Sequence, residues 1–179
     1  MMLPRVFVVA VAGVLMSAPV PALAASDFWQ AKGEADGTTR YSCGDACAQR
    51  QLICFNEIVP NREPVPIEEM GDEAIVPWGQ MDFSLLAGIA GDHEGLSGAG
   101  KIVDGKRLDG PTIVSFGGAD WVLAHYQMRA KAGELAAEFL LWPDAKGVAM
   151  LRCSYNAGAD DDGSVVAIRQ LAESLRLIP

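Results

Sequence analysis

The 179-residue sequence predicts an α+β fold: an antiparallel β-sheet flanked by helices, with a C-terminal helix packed on the sheet. Three observations carry this expectation. Residues 121–129 alternate, with Val122, Ala124, Tyr126 and Met128 on one side of an extended chain. The stretch Pro143-Asp144-Ala145-Lys146-Gly147 puts turn formers between two apolar runs, which is the pattern of a hairpin. From Ser164 the period changes. Val165, Ile168, Leu171, Ala172, Leu175 and Ile178 fall on one helical stripe, and a helix with one apolar stripe has to cover a sheet.

The elements follow in order. Phe28 and Trp29 mark a first strand, or a tail tucked against the core, within residues 27–30. Residues 38–42 (TTRYS) and 52–55 (LICF) are β-prone, joined by a link with room for one helical turn. Residues 60–77 contain Pro60, Pro64, Pro66 and Pro77 among five acidic side chains, and read as an acidic, proline-rich loop. A short helix is expected at 83–90, weakened by Gly88, and glycine-rich turns at 91–111. Strands are then expected at 112–116, 121–129, 134–142 and 148–155, with Gly117-Gly118 as the first turn. Ser164, after Asp160-Asp161-Asp162-Gly163, is the expected cap of a helix reaching Ile178.

Residues 1–24, MMLPRVFVVAVAGVLMSAPVPALA, have the parts of a secretory signal peptide. Arg5 provides the positive start, an apolar run follows, and Ala22-Leu23-Ala24 is a small-residue cleavage site. The run is shorter than the roughly 20 residues of a membrane-spanning helix. The expectation is a periplasmic or secreted protein, with residues 25–179 forming a single disulfide-stabilised domain and no membrane span in the mature chain. The formal charge is −9, from 14 basic and 23 acidic residues. Cleavage would take away only Arg5, and so acidic a chain is not expected to bind nucleic acid, where phosphates must be neutralised by Lys and Arg.

Cys43, Cys47, Cys54 and Cys153 form an even set in an exported chain and are expected to make two disulfides. The favoured pairing is Cys43–Cys54 with Cys47–Cys153. Their spacing lacks the second close pair of a four-thiolate zinc site, so metal is not expected there.

The order of strands, hairpin, acidic turn and final helix over residues 112–179 resembles the PsbP-like α/β/α sandwich. The matching stretches are TIVSFGGADWVLAHYQMRAKAGELAAEFLLW, GVAMLRCSYNAGADDD and SVVAIRQLAESLRLI. That family includes an extrinsic protein of photosystem II and DcrB-like bacterial envelope proteins. The resemblance implies a fold, and members that act mostly as assembly or binding domains.

Chemical motifs are incomplete. Residues 95–101 (GLSGAGK) fit a phosphate-binding loop, but Ile102 stands where Ser or Thr should hold Mg²⁺. Residues 95–99 miss a nucleophile elbow by one glycine, leaving Ser97 with His125 and Asp144 as a nominal triad. Asp92-His93-Glu94 is dense in ligand-type groups, yet neighbours on an extended chain point to opposite sides. Residues 160–163 lack the alternation of a calcium loop. The expectation is therefore a noncatalytic binding or accessory protein, with no catalytic residues, cofactor or resident metal. Its partner would be a protein or small ligand in the periplasm. Trp78, His93 and Trp121 are the candidate binding surface, with the acidic loop 60–77 turned toward a basic partner. The alternatives are a small hydrolase using Ser97 and a histidine, and a metal carrier using His93.

Overall fold

A computed structural model describes residues 28–43, 50–60, 65–73, 76, 78–79, 82, 102–131, 133–158 and 161–176. Seven strands form one sheet: β1 (Trp29–Gly33), β2 (Thr39–Cys43), β3 (Ile53–Pro60), β4 (Ile102–Phe116), β5 (Ala119–Ala130), β6 (Gly133–Asp144) and β7 (Gly147–Asn156). Their order is β1-β2-β3-β7-β6-β5-β4, and every neighbouring pair is antiparallel. The hairpins expected at Gly117-Gly118 and at 143–147 join β4 to β5 and β6 to β7. Asp144 accepts a hydrogen bond from the Lys146 backbone N–H at 2.8 Å, closing the second turn.

One helix, α1 (Asp161–Arg176), follows the sheet. Its Ala167, Ile168, Leu171, Ala172 and Leu175 share a core with Trp121, Leu123, Leu140, Trp142 and Leu151. Arg169 and Arg176 lie over the rings of Phe116 and Trp121, each at 5.3 Å, so aromatic faces meet the basic side chains of the helix. The opposite face of the sheet carries a second core. Val122, Ala124, Tyr126, Met128, Phe139 and Leu141 are covered there by Val65, Met70, Val76 and Trp78. A sheet buried on both sides explains why β6 and β7 read as nearly continuous apolar runs.

Four expectations need correcting. Residues 102–111 are the first part of β4 rather than turns. As an edge strand, β4 tolerates Pro111 and the register shifts after Ile102, Arg107 and Asp109, because only one side of it must hydrogen-bond. The segment 65–73 is not a free loop. Pro66 precedes a 3-10 turn at Ile67–Glu69, and Val65, Met70 and Val76 are buried, while Glu68, Glu69, Asp72 and Glu73 face water. Ser164 is buried inside α1, which begins three residues earlier at Asp161, so it does not cap the helix.

The favoured disulfide pairing is also corrected. Cys54 is joined to Cys153, on adjacent strands and in direct register. Register places the two side chains on the same face with Cα atoms 4.0 Å apart, a closeness that sequence spacing does not reveal. Cys43 is disulfide-bonded as well, its partner lying outside the described residues. No helix among those residues is long and apolar enough to cross a membrane. The helix expected at 83–90 lies outside them.

Candidate functional site

Register brings one row of side chains across all seven strands: Ala31, Tyr41, Cys54, Cys153, Glu138, His125 and Asp109. Its last three members form a polar chain on the helix side of the sheet. His125 Nδ1 stands 2.6 Å from Asp109 Oδ1, and Nε2 stands 3.4 Å from Glu138 Oε1. Glu138 is 1% exposed, whereas Asp109 lies open to water.

Local backbone irregularity makes this possible. The register shift between Arg107 and Asp109 leaves Leu108 as an extra residue, so Arg107 and Asp109 face opposite sides of β4. Gly110 follows at φ +82°. A Cβ there would strike the Leu123 carbonyl oxygen and lie 2.8 Å from Ala124 Cα, so only glycine lets β4 come this close beside Asp109.

The His125 pKa is raised from 6.5 to about 8, first by the hydrogen bond to Glu138 and then, against the cost of burial, by the bond to Asp109. A raised pKa favours the imidazolium, which donates from Nδ1 to Asp109 and faces Glu138 with Nε2 as an ion pair. A ring in this state has no lone pair with which to take a proton from a nucleophile. It supplies instead the counter-charge that a buried Glu138 needs. Asp144, its nominal partner in a triad, sits at the far end of β6 and bonds to Lys146. Among the described residues no cluster of three His, Cys, Asp or Glu is placed to hold a metal ion.

Arg107 begins a second polar cluster on the other face. It pairs with Asp82 at 3.4 Å, and Asp82 accepts a 2.6 Å hydrogen bond from Tyr126 Oη. Burial first, and then that bond, push the Tyr126 pKa upward. Trp78 lies 6.0 Å from the Arg107 guanidinium and donates its indole N–H to the Met70 carbonyl at 2.8 Å.

Of the residues singled out as a binding surface, Trp78 and Trp121 are both buried, on opposite faces of the sheet. Trp121 stacks on Phe116 and meets Trp142 edge-on, as a core ring does. Neither offers a face to a partner. His93, Ser97 and Cys47 lie outside the described residues.

An open groove of about 420 Å³ lies near the β1–β2 turn, lined by Glu34, Ala35, Asp36, Thr38, Arg40, Phe55 and Arg152. The sequence reading missed it. A second register row builds its floor, with Arg40 opposite Phe55 and Phe55 opposite Arg152. Arg152 lies over the Phe55 ring at 5.2 Å. Glu34 stands 3.6 Å from both Lys32 Nζ and Arg40 Nε. Asp36 accepts hydrogen bonds from Thr38 N–H and Oγ1 at 3.0 and 2.7 Å, which hold its carboxyl below the ordinary carboxylate range. A sequence signal did exist for both sites. Glu138 in LAAEFLLW and Arg152 in GVAMLRCSYN are lone charges inside apolar strands, and a charge so placed calls for a partner. Neither a protein-family model nor a curated protein matches the chain.

Proposed function

We propose that this protein is an exported, noncatalytic binding module whose ligand occupies the groove beside the β1–β2 turn. The groove carries this reading. It is open, its size is that of a small-molecule site, and it combines an aromatic floor with a few convergent charged groups. The carboxylates on both ring nitrogens of His125 speak against that residue as the base of a hydrolase. A signal peptide at residues 1–24 and residence in the periplasm belong to the same reading. They are supported by the character of that segment and by the Cys54–Cys153 disulfide, a bond favoured in oxidising compartments. The resemblance of residues 112–179 to the PsbP-like family, whose members mostly bind or assemble, points the same way.

Ala35 is exposed and lines the groove, so Ala35→Trp fills it without touching either core. Native mass spectrometry after incubation with periplasmic small molecules is expected to show a bound mass on the wild type and none on A35W. The reading fails if A35W retains the same ligand. It also fails if the protein hydrolyses a substrate and His125→Gln abolishes turnover.

A further inference from the structure

We infer that the groove recognises the carboxylate of a small monoanionic ligand, with Arg152 as the group that pairs with it; the inference rests on the binding-module reading above. Two cations line the groove, and their situations differ. Arg40 has a carboxylate beside it, Glu34 at 3.6 Å. Arg152 has no ion-pair partner among the described residues, although its charge helps to lower the Asp36 pKa, and the Nε of each arginine is buried without a hydrogen bond. The Arg152 guanidinium lies over the face of Phe55, which offsets part of the charge but does not satisfy the Nε–H. A buried Nε–H without an acceptor is costly, and an oxyanion in the groove would relieve that cost by a forked pair of charge-assisted bonds that includes it.

The rim decides which oxyanion. Glu34 and Asp36 line the same groove, Glu34 close to Lys32 and Arg40 and Asp36 bonded to Thr38. Two carboxylates at the mouth repel a doubly charged phosphate more than a singly charged carboxylate. Stacking on Phe55 also holds the Arg152 guanidinium in one plane, so that a carboxylate can meet its edge.

Calorimetric titrations of the full chain with benzoate, acetate and inorganic phosphate test this, at fixed ionic strength. Saturable benzoate binding is expected, tighter than that of phosphate. Arg152→Gln should weaken it at least ten-fold. Arg152→Lys, which keeps the charge but loses the fork, should fall between the two. Ala35→Trp should abolish binding with Arg152 intact, so the test survives if R152Q fails to fold. Arg129→Gln, far along β5 in an exposed pair with Asp104, should leave binding unchanged.

The inference is overturned if no carboxylate binds saturably, if phosphate binds more tightly than benzoate, or if the arginine variants bind benzoate as the wild type does. In each of these cases a neutral ligand that binds the wild type but not A35W would leave the groove reading standing. Benzoate binding that persists in A35W would sink both.

Discussion

Raising the pH should weaken the fold through His125. The folded-state pKa of about 8 lies above the ordinary 6.5, so the protonated ring favours the native state. The contribution is complete below pH 6.5 and fades as pH rises through about 8. A rise of that size corresponds to about 2 kcal/mol. The side chain is 34% exposed, however, and solvent screening brings the expected figure nearer 1 kcal/mol. In a protein of this length that is a melting-point difference of about 2–4 °C. The assay is urea unfolding of wild type and His125→Gln at pH 6 and pH 9. The difference between the two proteins should be larger at pH 6 by about 1 kcal/mol, and taking the difference cancels the titrating groups that do not contact His125. An unchanged difference would refute the reasoning. So would an NMR titration placing the His125 pKa at or below 6.5.

Further outcomes follow from neighbouring geometry. Because the Glu138 hydrogen bond is the largest cause of the raised His125 pKa, Glu138→Gln should lower that pKa more than Asp109→Asn, as read by NMR titration of the ring. Replacing both Cys54 and Cys153 by Ala opens a loop of 99 residues and should cost about 4–5 kcal/mol on the chain-entropy account, measured by denaturant midpoint. Gly110→Ala forces a Cβ into the backbone of β5 at a positive φ and should cost at least about 2 kcal/mol in a thermal melt. Leu171→Ala empties a buried position under α1 and should cost about 2–5 kcal/mol.

The two cores explain which parts were legible from sequence. Alternation in 121–129 and the stripe from Val165 to Leu175 are local periodicities, and each matches an apolar surface that the structure buries. The turn at 143–147 was equally readable, since its residues act on their own backbone. Residues 102–111 were not, because their glycines and Pro111 are tolerated only through pairing with β5 along an edge. The exposed acidic residues of 65–73 likewise hid Val65 and Met70, which are anchored by a face of the sheet distant in sequence.

Local chemistry in the chain was thus enough to predict a β-meander, its tight turns and a covering helix, because those depend on spacing within a few residues. Residues 39–43, 53–60, 102–116, 119–130, 133–144 and 147–156 had to be set in register before Cys54 could meet Cys153, His125 could meet both Asp109 and Glu138, or Arg152 could stand over Phe55. The disulfide and the Arg152–Phe55 contact join strands distant in sequence, and the His125 contacts join consecutive strands. A shift of one residue in any strand would turn its side chain to the other face of the sheet.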